Sequence, residues 1–133
     1  MHLQMPFHGC NAKDPLHPKS HEWFAQFAGK DGINSDSFPF MRFFIEPVWL
    51  TINYAKSIGY EKIVMAGLSG GGFTTHMASA IDTRIGLSIP VAGSIPCDFA
   101  HTSWDYEQFC DQPWAMVANY TSLYFLASLE AER

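Results

Sequence analysis

The order of apolar segments along this chain predicts an α/β fold, a parallel sheet with helices on its faces. Three observations carry that expectation. Two short apolar runs with β-branched members, Ile63-Val64-Met65-Ala66 and Ile85 to Val91, have the length and composition of sheet-core strands. Segments with helical spacing precede the first run and separate it from the second. At the junction of strand and helix stands Gly67-Leu68-Ser69-Gly70-Gly71, a Gly-x-Ser-x-Gly turn.

Taken in order, Leu3 to Phe7 is a short apolar run broken by Pro6 and followed by His8-Gly9-Cys10-Asn11, which reads as a strand entering a loop. Residues 12–40 are rich in Pro, Gly, Asp, Ser and Lys, with one short helical stretch at Glu22 to Ala28, and read as a surface excursion. Met41 to Ser57 places Phe44, Val48, Ile52 and Ala55 at helical spacing, and Gly59 turns the chain just after it. Pro47 leaves two options there: a helix that starts near Glu46, or a longer one kinked at the proline.

Ile63 to Ala66 is expected to be a strand buried on both faces, followed by a helix from just after Ser69 to near Asp82. Ile85 to Val91 is the next strand, and Pro90, which cannot donate to a ladder, is expected at its end or at a bulge. After Gly93 the sequence is irregular until one apolar-rich helix, Trp114 to Ala131. The alternation of strand and helix implies a parallel sheet with right-handed crossovers.

At 133 residues, 47% hydrophobic and 16% charged, the chain has the size and composition of a single globular domain spanning 1–133. Its net charge of -5 and singly scattered Lys and Arg exclude nucleic acid and an anionic membrane surface as main partners. Cys10, Cys97 and Cys110 are odd in number and widely spaced, which suits free thiols better than a disulfide framework or a metal site. No basic start with a long apolar stretch opens the chain, and no run reaches membrane-span length, so a cytoplasmic protein is expected. The sequon Asn119-Tyr120-Thr121 carries little weight without a signal peptide.

The serine turn carries the chemistry. Where a strand passes into a helix within a few residues, the residue at the pivot is forced into a strained backbone conformation. Glycines at 67 and 71 are expected to remove side chains that would collide there, and the turn lifts the Ser69 hydroxyl above the sheet. The first amide of the following helix, that of Gly70, then faces the space where a tetrahedral oxyanion forms, and the helix dipole favours that charge. The motif alone arises by chance in roughly one chain in twenty of this length. Its position, between an independently expected strand and helix, decides in its favour over a glycine-rich turn without chemistry. No lysine follows the glycines, which excludes a P-loop.

The run Tyr60 to Gly72, followed by Ala78 to Arg84 and an apolar strand, resembles the core of α/β-hydrolases of the prolyl-oligopeptidase and dienelactone-hydrolase type. Met5-Pro6-Phe7-His8-Gly9 resembles the His-Gly loop of that family. The resemblance implies a partial α/β-hydrolase core with Leu3 to Phe7 as strand four, Ile63 to Ala66 as strand five and Gly86 to Val91 as strand six. It implies a serine hydrolase for a small-molecule ester or peptide substrate, with Ser69 as nucleophile, Gly70 as oxyanion donor and no cofactor. Family members carry the acid after strand seven and the histidine after strand eight, and neither position falls within this chain.

Three residues stand in for them as candidate acid or base. Asp98 follows strand six, where some lipases of the superfamily hold their acid; it reads more readily as a loop aspartate capping a turn. His101 lies close to it, and His8 ends the first strand on the edge expected to carry the site; a lone loop histidine is more often solvated or hydrogen-bonded than a base. His76 falls about two helical turns beyond Ser69, roughly 10 Å away, and is expected to pack rather than to act as a base. His2, His17 and His21 share no zinc-site spacing, so no metal is expected. Phe38, Phe40, Phe43, Phe44 and Trp49 line either a pocket or ordinary core. Open sheet edges would favour a homo-oligomer, or a non-catalytic binding or association module as the alternative function.

Overall fold

The computed structural model describes residues 1–4, 9–11, 41–94 and 117–129. It has the small α/β arrangement expected: helix α1 (Arg42–Ser57), strand β1 (Ile63–Leu68), helix α2 (Gly70–Ile81), strand β2 (Ile85–Val91) and helix α3 (Tyr120–Leu129). A single 3-10 turn, Gly9–Asn11, precedes them. The expected helix at 22–28 lies outside the described residues.

Helix α1 runs through Pro47 instead of starting beside it. The proline stands on the exposed side, away from the buried row of Phe44, Ile45, Val48, Ile52 and Ala55. Near the start of the helix, Arg42 and Glu46 pair across one turn at 3.1 Å, a half-exposed contact worth only a few tenths of a kcal/mol. The end is a Schellman motif: Tyr60 N–H donates to Ala55 O at 3.0 Å and Gly59 N–H to Lys56 O at 3.1 Å. That closure needs a residue at positive φ, and Gly59 supplies it at 93°.

The two strands pair in parallel, with Val64 opposite Leu87, Ala66 opposite Ile89 and Leu68 opposite Val91. Strand β1 extends two residues past the expected end. Pro90 lies inside β2 opposite Gly67, and the one irregularity falls at the other end, between Ile63 and Val64. The placement is consistent with its missing N–H. Val91 turns its carbonyl toward the chain of β1, accepting from Ser69 N–H at 2.9 Å, so the neighbouring Pro90 faces the outer side of the ladder.

One expectation about the sheet lies largely outside the described residues, and another is corrected. Met1–Gln4 form no strand and residues 5–8 lie outside the described residues, so strand four is not seen and the described sheet has two strands. Nor are the strands buried on both faces. Met65, Gly67, Ser88 and Pro90 face α2 and are partly covered, whereas Val64 (61% exposed), Leu68 (68%) and Leu87 (54%) present the other face to solvent. A short apolar run reads as doubly buried from sequence because composition does not reveal how many layers pack on a sheet. Here the described helices cover one face.

Helix α2 is the centre of the packing, touching α1, both strands and α3, and it is buried from Gly72 to Ser79. Its Phe73 meets Phe44 of α1 edge to face, with ring centres 5.9 Å apart. Phe73, Met77 and Ala78 join Val48, Ile52, Ile85, Tyr120 and Leu123 in one core. Helix α3 is tied in at its start. Asn119 caps it, its Oδ1 accepting from Ser122 N–H at 2.9 Å, and Tyr120 and Leu123 are buried. The expected single helix Trp114 to Ala131 is corrected: Ala118 and Asn119 are not helical, so the helix starts afresh at Tyr120 behind the Asn119 cap, while 114–116 and 130–131 lie outside the described residues. No described helix is long and apolar enough to cross a membrane.

Candidate functional site

The chain leaves β1 at Leu68 and enters α2 at Gly70, so Ser69 alone makes the turn. Its backbone stands at φ 55° and ψ −121°, outside the regions a side chain ordinarily tolerates, at a cost of about 1–3 kcal/mol. Two backbone bonds hold it. Its N–H donates to Val91 O at 2.9 Å and its carbonyl accepts from Phe73 N–H at 2.9 Å. The residue is exposed, and its hydroxyl makes no capping bond to the helix it begins. Gly70 is buried in the first turn of α2, where a helix supplies no acceptor for the amide.

Of the two motif glycines, Gly67 acts as expected and Gly71 does not. A Cβ on Gly67 would run into the backbone carbonyl of Gly71 and stand 2.7 Å from Thr75 Oγ1, so this position excludes every side chain. Gly71 meets nothing within 4 Å, and its place in the motif has no steric basis here. The second close approach belongs to Gly72, whose Cβ would strike Val91 O and lie 3.1 Å from Gly67 O. Gly93 fits against Phe73 N and lies 2.7 Å from Gly72 Cα by the same measure. Neither was singled out from sequence. Gly72 carried a weak signal as the last of three glycines, but Gly93 becomes informative only when β2 lies beside α2. Leu68 points out on the open face of the sheet, 68% exposed.

Beside Ser69 a cleft of about 1120 Å³ runs between β1 and α1, from Gly71 and Thr74 at one end to Tyr60 and Lys62 at the other. Phe44, Val48 and Ile52 line its helix side. Of the aromatic residues read as pocket or core, Phe44 is core and lines the cleft, Phe43 lines the cleft while partly exposed, Trp49 is 44% exposed, and Phe38 and Phe40 lie outside the described residues.

His76 is 1% exposed and has no bond to Ser69. Its Nδ1 lies 2.9 Å from Ser94 Oγ, and its ring stacks on Tyr124 with centres 4.1 Å apart. Burial pushes its pKa down to about 4, with the Leu123 backbone pulling weakly the other way. Nε2 forms no hydrogen bond with the described residues, and neither does buried Thr75 Oγ1. His8, Asp98 and His101, the candidate base and acid, lie outside the described residues. Cys10 is a free, exposed thiol, and no cluster of three metal-ligating side chains occurs among the described residues.

No family model matches the chain. Nor does any curated protein or solved structure.

Proposed function

We propose that this chain carries the nucleophile of a serine hydrolase of the α/β-hydrolase type, acting on ester or peptide bonds. The observation that supports the reading is the state of Ser69: exposed at a one-residue strand-to-helix turn, strained at positive φ, its hydroxyl left out of helix capping. A serine at a helix start ordinarily caps it, a bond worth about 1 kcal/mol. Strain of this kind clusters at functional positions.

In this mechanism Ser69 Oγ attacks the carbonyl carbon of the substrate while a base takes its proton. The carbonyl oxygen becomes a tetrahedral oxyanion facing the Gly70 amide at the positive end of α2. Collapse expels the alcohol or amine with a proton returned by the base, and water releases the acyl group from Ser69 by the same steps in reverse. His8 and His101 are the candidate bases and Asp98 the candidate acid. Without an aligned base Ser69 is an ordinary alcohol, so its reactivity depends on one of these histidines reaching it.

The test is covalent labelling. A fluorophosphonate should modify Ser69 and no other serine, and Ser69→Ala should abolish both labelling and any hydrolysis of an activated ester. A well-folded chain that stays unlabelled at high probe concentration would overturn the proposal. One observation favours a second reading, a non-catalytic association module. The sheet face bearing Val64, Leu68, Leu87, Ile89 and Val91 is apolar, uncharged and open. Self-association beside an inert Ser69, seen by sedimentation, would select that reading.

A further inference from the structure

The segment that follows β2 is held from three sides, and what it carries is the carbonyl that fixes Ser69. Val91 O accepts the Ser69 amide at 2.9 Å. Ala92 then turns at φ 52°, the one other described non-glycine residue at positive φ. Gly93 seats against the backbone of Gly72 and Phe73, at the first turns of α2. Ser94 follows, and its side chain is gripped by two elements distant in sequence. Its Oγ is 2.9 Å from His76 Nδ1 on α2 and 2.7 Å from Tyr124 OH on α3. Tyr124 OH also donates to the Ser94 carbonyl at 3.2 Å.

We infer that the hydrogen-bonded chain Tyr124–Ser94–His76 is a positioning cluster: it locks the turn after β2 and thereby holds Ser69 in its strained conformation. The inference deepens the hydrolase reading and rests on it for its functional meaning. Three features support it. One arrangement of protons satisfies all three contacts: Tyr124 OH donates to the Ser94 carbonyl, Ser94 Oγ donates to Tyr124 OH, and His76 Nδ1–H donates to Ser94 Oγ. The stacking of His76 on Tyr124 keeps the two ends in register, so the hydroxyl of Ser94 has little freedom to leave. The Ser69–Val91 bond joins strained Ser69 to the residue just before strained Ala92, so it ties the two turns together. A residue at positive φ persists only where its surroundings over-determine it, and this cluster supplies that constraint from the far side of the turn.

The role of Tyr124 is the surprising part. It sits on α3, 55 positions beyond Ser69 by their numbers, and it is 40% exposed. Packing alone would make its hydroxyl dispensable. In the inferred role the hydroxyl is the outer anchor of the serine turn.

The test reads Ser69 directly, without requiring activity. Amide hydrogen exchange at Ser69 is measured by NMR in the 133-residue chain and in Tyr124→Phe, which keeps the ring and removes the oxygen. Ile52→Val, trimmed in the α1 core away from the cluster, serves as a stability-matched control. Exchange at Ser69 should accelerate about fivefold to tenfold in Tyr124→Phe beyond the control, as expected for the loss of one hydrogen bond. Ser94→Ala should do the same and Ser94→Thr, which restores a hydroxyl, should reverse it. Fluorophosphonate labelling of Ser69 should slow in the same order. Exchange at Ser69 that matches the control in both Tyr124→Phe and Ser94→Ala overturns the inference. Failure of the hydrolase reading looks different: an unlabelled parent chain whose Ser69 amide still answers to Tyr124.

Discussion

Helix α2 is finished on opposite plans at its two ends. At the C-terminal end the capping residue is tied down by its neighbours. Asp82 is 7% exposed, and its carboxylate accepts from Arg84 N–H at 3.0 Å, Nε at 2.8 Å and Nη2 at 2.6 Å. Arg84 in turn donates to Asn53 Oδ1 of α1 at 2.6 Å, so the ion pair also ties two helices together. At the N-terminal end Ser69 occupies a strained turn, leaves its hydroxyl unbound by the helix, and exposes it. The contrast separates a joint built for stability from one built at its expense. An aspartate satisfied by a guanidinium holds a turn shut, while a serine that declines to cap leaves its side chain exposed at the helix start.

The comparison breaks most completely at Gly67. Gly67→Ala drives a methyl into the Gly71 carbonyl, which is backbone and cannot step aside. The expected loss is about 3 kcal/mol or more, enough to unfold a marginal chain, and a urea titration followed by circular dichroism measures it.

Acid should weaken the packing around α2 in two steps, first at its buried middle and then at its C-terminal end. The folded pKa of His76 is lowered from 6.5 to about 4, so between those values the unfolded chain binds a proton that the folded one refuses. Stability therefore falls as pH drops through that window, by up to about 1.4 kcal/mol per unit, and the change levels off below about 4. Asp82 comes next. Hydrogen bonds from Arg84 hold its carboxyl below the ordinary value of 3.8, so its contribution is full above that pH and disappears as pH falls through the lowered value. Thermal melts from pH 7 to 3 should show the first loss above pH 4, and His76→Asn should flatten that part of the curve alone.

Two smaller changes sharpen the contrast by raising stability. Ser69→Gly removes the side chain from a conformation that glycine tolerates, with an expected gain of about 1 kcal/mol and complete loss of fluorophosphonate labelling. Gly71→Ala meets open space inside a helix and should gain about 0.5–1 kcal/mol with labelling kept. A destabilising Gly71→Ala would show that the second glycine of the motif has a steric duty after all. Melting temperatures decide both.

Much of this architecture could be read from local pattern. The extents of α2 and β2, the end of α1 at Gly59 and the placement of the serine between strand and helix follow from periodicity and from residues with restricted or unusual backbone freedom. Such signals act over a few neighbours and survive without knowledge of the rest of the chain. Pro47 was ambiguous for the same reason. Both of its options satisfy local rules, and the buried row from Phe44 to Ala55 selects the longer helix.

What escaped the pattern depends on segments brought together from afar. The run of three glycines does not say which of them face backbone; that is set by β2 lying against α2, which crowds Gly72 and leaves Gly71 free. Nor does a string of valines and leucines tell whether one layer or two will cover a sheet. The bond from His76 to Ser94 spans 18 residues and that from Ser94 to Tyr124 spans 30, distances over which no sequence periodicity carries information. The linear order of residues settled where the chain must pivot and that a serine stands at the pivot, because backbone sterics are local. Which groups hold that pivot in place was decided by packing, because hydrogen bonds and excluded volume act between whatever the folded chain makes adjacent.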